Sequence, residues 1–481
     1  MAAEVRRGVA DEAAEEASQL VRVHLGLERC ADAGGAADTR LEAPLGDKAE
    51  AYNHDLRFQA AVGDALKASG VDLTGLDLGS DDGVMVGTVV AWMESEPSAL
   101  TSLTLDWGKV CGRVREALLG AVRKTHTLVA LSVGEERAMP LNPLQLNGRE
   151  AVPSLDLSGK RLGPASAAVV AAGVSVNGVL TSLNLGFNDL TEEAALGIVR
   201  VERQRNKLTS LSLARCSIGP TGAAEIAEYV SGSAVLTTLA LPHNSIGAEG
   251  AAAIAEALRG NGVMTTLNLK GNNIRAEGAA ALASALRVNG VLTSLDVGSN
   301  GLTEEAALGI VRVERQRNKL TSLALENCGI GPTGAAEIAE YVSGSAVLTS
   351  LNLCNNNIHV TGAIAIAEAL RGNGVLTNLD LSGNNIGGET DYIKASEVEG
   401  ESKEVGAKVV YQGREMVVSE GVDSDGELKL ADRTGILAIA KALEVNGVLT
   451  SIDLRGNNLS DEGKKAIQDA VSGREGFKLE M

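Results

Sequence analysis

Aromatic side chains are scarce: Phe, Tyr and Trp make up 2% of the 481 residues, against 44% for all apolar types together. A core drawn from such a chain is aliphatic, and the Trp and Tyr anchors that dominate binding hot spots are nearly missing from its surface. Cysteine is equally sparse. Five residues, no two of them at C-x-x-C or similar ligand spacing, exclude a disulfide framework and a zinc site and fit reduced thiols in a reducing compartment. Positive charge falls short as well, since 43 Lys and Arg stand against 62 Asp and Glu for a net charge of −19. That field opposes approach to phosphate backbones or anionic lipid. No apolar run reaches the ~18 residues of a membrane span, and the opening MAAEVRRGVADEAAEEASQL lacks the apolar stretch of a secretory signal. The expectation is a cytoplasmic protein that binds neither nucleic acid nor membrane.

Catalytic signatures are missing too. Gly-Lys occurs at Gly108, Gly159 and Gly463, never within G-x-x-x-x-G-K-S/T; there is no H-E-x-x-H, and no G-x-S-x-G placed after a strand. The chain is therefore expected to be no enzyme, to hold no metal or cofactor, and to take no small-molecule substrate.

What is present is repetition. LTEEAALGIVRVERQRNKLTSL runs from Leu190 to Leu211 and again from Leu302 to Leu323. Segments that open L-T-S-L or a variant start at Leu180, Leu208, Leu236, Met264, Leu292, Leu320, Leu348 and Leu376, each 28 residues after the last, and the copied passages lie four such periods apart. Looser copies start at Leu73, Leu100, Leu128 and Val152, and one more at Leu449 follows an insertion of 45 residues, about thirteen units in all. Within a unit the pattern is L-x-x-L-x-L-x-x-N-x-I/L, complete in LTSLNLCNNNI from Leu348. Alternation at Leu351 and Leu353 predicts a short strand buried on one face, and the following Asn, as at Asn188, Asn244, Asn272, Asn300, Asn356, Asn384 and Asn457, predicts a turn held to its neighbours. The second half of the unit switches period: Ala251, Ile254, Ala255 and Leu258 fall on one helical stripe. A strand and then a helix in every unit, always in the same sense, predicts parallel strands stacked side by side with helices outside them, an α/β solenoid. At ~4.8 Å per strand, thirteen strands would span ~60 Å.

These residues resemble the leucine-rich repeat of the ribonuclease-inhibitor type, also found in the arrays of NOD-like receptors and Ran GTPase-activating proteins. The resemblance implies a horseshoe with a concave parallel sheet and outer helices, and it implies no single function. The leading expectation is a non-catalytic protein-interaction scaffold or regulator that uses the concave face and the strand-to-helix rim. A GTPase-activating regulator, or a receptor sensor array without its nucleotide-binding module, is the alternative. Concave register selects Phe187, Arg215, His243, Lys270, Glu326 and Arg455 as candidate partner contacts. His243 and Cys354 lie four units apart, ~19 Å at the strand spacing, too far to share a metal or a proton. Cys216 and Cys328 take the Asn position of their own units.

Four organisational expectations complete the reading. Residues 1–70, with 13 acidic and 8 basic side chains, form an acidic, Ala-rich cap or tail with a helix from Leu56. The array occupies 71–387 and resumes over 433–481, closing with FKLEM as a short covering strand. The insertion 388–432, with 12 acids and 5 bases, is a loose acidic linker followed by a β-meander turning at Gln412-Gly413 and Asp425-Gly426. Its DSDG lacks the first carboxylate of an EF-hand loop and is a hairpin turn. Finally, Glu202 and Glu314 replace the Leu found at Leu258, Leu286 and Leu370, so either their helices rotate or each Glu pairs with an Arg. Between the copied blocks, 190–237 and 302–349, four positions differ: Ser212/Ala324, Ala214/Glu326, Arg215/Asn327 and Ser217/Gly329.

Overall fold

A unit's first, fourth and sixth leucines point into the core and leave the residues between them on the opposite face. In the unit from Leu348, Leu351 and Leu353 are buried while Ser350 and Asn352 are half-buried, and the same alternation marks the other repeat strands. The structure, a computed structural model, describes residues 70–73, 78–79, 84–95, 100–134 and 138–481. The expected N-terminal cap and its helix from Leu56 lie outside the described residues. The chain divides into two compact parts, one up to Leu208 and one from Thr209 onward.

In the first part, β1 (Gly70–Asp72), β2 (Ser102–Thr104) and β3 (Ala130–Ser132) form a parallel three-stranded sheet, and β4 (Ser154–Asp156) pairs in parallel with β5 (Ser182–Asn184). Two details depart from the sequence reading. Leu73 does not open its unit: its N–H donates to Thr104 O, as the N–H of Leu105 donates to Ser132 O, so it holds the sixth position and the strand lies before it. The parallel sheet is also broken after β3, because Leu131 exchanges both backbone hydrogen bonds with Leu141 in antiparallel sense. The short 24-residue step to Val152 leaves room only for a helix of five residues, Pro143–Asn147. The chain returns along the free edge of β3 instead.

In the second part, β6 (Ser210–Ser212), β7 (Thr238–Ala240), β8 (Thr266–Asn268), β9 (Ser294–Asp296), β10 (Ser322–Ala324), β11 (Ser350–Asn352) and β12 (Asn378–Asp380) stack in parallel and in register. The insertion then forms its own antiparallel sheet: β13 (Ile393–Lys394), β14 (Lys408–Tyr411), β15 (Arg414–Glu420) and β16 (Glu427–Ala431), in the order β13-β16-β15-β14. Val398, Val409, Met416, Val418, Leu428 and Leu430 give it a separate core. Its first residues are no loose linker, since Val398 is buried and Glu399 bridges Val410. Asp423 Oδ1 accepts the N–H groups of Asp425 and Glu427, both at 2.9 Å, so that carboxylate builds the DSDG turn. The two ends of the insertion meet where Asp432 N–H donates to Gly388 O at 3.2 Å, which lets β17 (Ser451–Asp453) pair with β12 as if nothing intervened. The terminal FKLEM supplies β18 (Lys478–Glu480) beside β17.

Three columns of side-chain hydrogen bonds lock this register. Each turn Asn spans two units: Asn272 Nδ2 donates to Leu241 O and Leu269 O, and its N–H donates to Asn300 Oδ1. Cys328, at the Asn position, has its N–H on Asn356 Oδ1, while its Sγ lies 3.9 Å from Val297 O, where an Asn amide would donate. From Thr237 onward the threonine after the opening leucine donates its hydroxyl to the threonine carbonyl one unit back, as Thr265 does to Thr237 at 3.2 Å. The third column stands three residues before each strand's opening leucine. There Asn289 donates to Leu258 O and Asn261 O and accepts from Val291 and Leu292 N–H.

The Glu residues that broke the helix pattern belong to this third column. Glu314 and Glu202 are fully buried and paired with Arg317 and Arg205. Arg317 donates to Asn289 O and Leu292 O, and Glu314 accepts from Leu320 N–H at 3.1 Å. In these two units the ion pair divides between a donor and an acceptor side chain what one Asn amide does at Asn261, Asn289, Asn373 and Asn446. Pairing with Arg, and not helix rotation, resolves the two alternatives.

Candidate functional site

The helices seal one side of each parallel sheet, and the other side carries the residues that alternate with the buried leucines. In the second part this open face shows three lines of side chains. The strand-ending line runs Ser212, Ala240, Asn268, Asp296, Ala324, Asn352, Asp380, Asp453, Glu480. Where it carries Asn or Asp, the side chain folds back on the next turn: Asn268 accepts from Lys270 N–H, Asp296 from Gly298 N–H, and Asp380 from Ser382 N–H and Oγ. A second line, two residues on, holds Ala214, Pro242, Lys270, Gly298, Glu326, Cys354, Ser382 and Arg455. The third, one residue further, holds Arg215, His243, Gly271, Ser299, Asn327 and Asn355.

Of the candidate contacts, Lys270 and Glu326 are brought together. Their charged atoms lie 2.5 Å apart although the residues are 56 positions and two units apart. Gly298 stands between them in the same line, and a Cβ there would sit 3.0 Å from that of Glu326, so the lysine's reach depends on the missing side chain. Burial works against the charge of Lys270, but the hydrogen bond and charge of Glu326, with Asp296 nearby, hold its pKa above the ordinary value. Asp296, one unit from each, feels the charges of both. Burial pushes its carboxyl up, and neither the Gly298 N–H nor Lys270 cancels that. One copied block has Ala214 and the other Glu326 at this position, so the ion pair came with the divergence of the copies.

The other candidates remain apart. Arg455 pairs within its own unit, its Nε 3.0 Å from Asp453 Oδ2, and its other guanidinium nitrogen reaches Glu480 at 3.8 Å. Burial would raise the Asp453 carboxyl, yet the hydrogen bonds and charge of Arg455 bring it below the ordinary value. Phe187, in the first part, is 55% exposed. Arg215 and His243 are exposed at adjacent units, with backbone φ of 52° and 57°. The imidazole of His243 occupies the space above Gly271, where a Cβ would come within 2.6 Å of Nδ1. Among the described residues no group of His, Cys, Asp and Glu could hold a metal, and no helix is long and apolar enough to cross a membrane. The four described cysteines are free thiols. Burial raises Cys216 and Cys328 to about 12.

Sequence reasoning named Arg215, His243, Lys270, Glu326 and Arg455 in these lines, and Phe187 in the first part. It missed Asp296, whose signal was available, because an acid in the strand-ending position lies one unit from Lys270 and from Glu326. It also missed that Lys270 and Glu326 touch, since a two-unit reach depends on the side chain of the unit between.

Comparison with known families places leucine-rich repeats at residues 176–199, 205–227, 232–255, 261–283, 317–339, 344–367, 372–389 and 445–467. None of the curated proteins matches the chain. Among solved structures, it is similar to the leiomodin-1 actin-binding site 2 at 26% identity and a TM-score of 0.28, over 31% of this chain and 87% of that one. It is also similar to the tropomodulin C-terminal domain of Caenorhabditis elegans, at 12% identity and a TM-score of 0.29, over 41% of this chain and 91% of that one.

Proposed function

We propose that this chain, with leucine-rich repeats over the eight matched segments, acts as a non-catalytic protein-binding scaffold whose partner lies on the open sheet face from Arg215 to Arg455. The observation that carries this reading is the polar surface, uncovered among the described residues, that the repeat strands of the second part present opposite the helices. Repeat stacking presents such a surface at no cost to the core, and its rigid backbone loses little further freedom when a partner binds. The 28-residue alternation of strand and helix supports the ribonuclease-inhibitor type of repeat. With few aromatics available, recognition rests on charge and hydrogen bonding, and the pattern is mixed: Arg215, His243 and Lys270 at one end, Asp380, Asp453 and Glu480 at the other. A partner of matching polarity gains orientation and on-rate from it more than affinity. The insertion, on the strand-to-helix side of the β12 unit, is a second contact.

The test uses Arg215→Glu combined with the exchange Lys270→Glu and Glu326→Lys, which keeps the ion pair but inverts its direction. Proteins captured by the parent chain are expected to be lost, while Arg315→Glu on an outer helix keeps them. Equal capture by both variants, with unchanged far-UV circular dichroism, overturns the reading.

A further inference from the structure

Among the described residues the strands from β7 to β17 in the parallel sheet have a neighbour on each side, whereas β18 has one, β17. Lys478 N–H donates to Thr450 O at 2.9 Å, and Glu480 O accepts from Leu454 N–H at 2.8 Å. Successive residues of a strand turn their backbone groups to opposite edges, so the N–H and C=O of Leu479 point away from β17 into the open edge. Leu479 is half-buried, where its counterparts Leu351, Leu379 and Ile452 are buried. Lys478 and Glu480 flank it, both exposed. Open edges are commonly blunted by proline, bulges or charge; this one has no proline, and its two charges are of opposite sign. The last helix, Asp461–Val471, carries exposed Lys464 and Gln468 where others carry apolar side chains. That face does not call for another helix, so the unmet demand is for a strand.

We propose that this edge is a self-association surface, with β18 pairing antiparallel to β18 of a second copy about a two-fold axis at Leu479. In that register the two Leu479 residues exchange both backbone hydrogen bonds and bury their half-exposed side chains against each other. Lys478 of each copy then stands opposite Glu480 of the other, so the order Lys-Leu-Glu is complementary to itself. A two-fold interface requires such self-complementarity. The short strand and the net charge of −19 make the association weak and concentration-dependent.

Sedimentation velocity of the full chain across a concentration series tests this. The parent chain is expected to shift from monomer to dimer. Glu480→Lys places Lys opposite Lys twice and raises the dissociation constant about ten-fold or more; Lys478→Glu does the same with acids. The double exchange Lys478→Glu, Glu480→Lys restores the dimer to within about three-fold of the parent, since it rebuilds both opposite-charge pairs. Leu479→Pro removes the outward N–H without removing a bond to β17 and abolishes the dimer; its thermal midpoint reports whether the fold is kept. A monomer throughout the series, whatever other strand the edge captures, overturns the proposal. So does a dimer indifferent to the charge variants.

Discussion

Replacing Glu314 by Ala tests whether the buried ion pair stands in for the Asn that precedes the strand in other units, as Asn289 does. The side chains of Glu314 and Arg317 are 0% and 7% exposed and lie 2.6 Å apart. Truncation leaves the guanidinium without its counter-charge in a dry setting and takes the acceptor from Leu320 N–H. Breaking a buried pair by removing one partner costs about 3–5 kcal/mol. With a urea dependence of a few kcal/mol per M, the unfolding midpoint should drop by about 1–2 M. Far-UV circular dichroism gives the midpoint, and hydrogen exchange shows whether the loss begins at the Leu320 amide, since a repeat array can open locally. The double variant Glu314→Leu, Arg317→Asn restores the arrangement of Leu286 with Asn289, and should fall within about 1 kcal/mol of the parent, as apolar replacements of buried pairs do. If the double variant is as damaged as the single one, the pair is not the equivalent of the Asn. An unmoved midpoint for Glu314→Ala would refute the burial argument itself.

Three further outcomes follow from particular residues. Asp296 has a raised pKa from burial, so its protonated form is favoured in the folded chain; the associated stability is present below the unfolded value and lost as pH rises through the folded one. Asp296→Asn, which keeps an acceptor for Gly298 N–H as Asn268 does for Lys270, should raise the thermal midpoint at pH 7 and leave it nearly unchanged at pH 3; a loss at pH 7 would show that attraction to Lys270 outweighs burial. Excising residues 389–431 and joining the ends, which already share a hydrogen bond between Gly388 and Asp432, should leave helical dichroism and cooperative unfolding of the array intact; a collapsed transition would mean that the insertion props the array. Cys216 and Cys328, buried and raised to about 12, should resist a thiol reagent at pH 7.5 until urea unfolds the chain, while half-buried Cys354 reacts first; rapid labelling of Cys328 would contradict the sealed Asn column.

Much of the fold could be read from spacing because each unit solves the same local problem. Leu351 and Leu353 bury one face of three residues, Ile366 and Leu370 bury one stripe of the following helix, and Asn356 closes the turn between them. Leu73 is an exception, since spacing alone puts it at the first position and hydrogen bonding puts it at the sixth. The unit after Leu128 is another, because a missing stretch of helix lets the chain double back. Of the open face, the strand periodicity identified which side chains point outward, but not which of them touch.

The 28-residue period determined by itself that strands alternate with helices, that leucines face inward and that polar residues line the other side, because these follow from backbone geometry repeated at fixed intervals. Tertiary structure alone decided what lies between units. It joined Lys270 to Glu326 across Gly298, gave Glu314 and Arg317 the work of an Asn, and brought Gly388 to Asp432 so that β12 meets β17. Each of these depends on the distance and solvent exposure that stacking creates between residues far apart in the chain, and pattern within one unit carries no record of either.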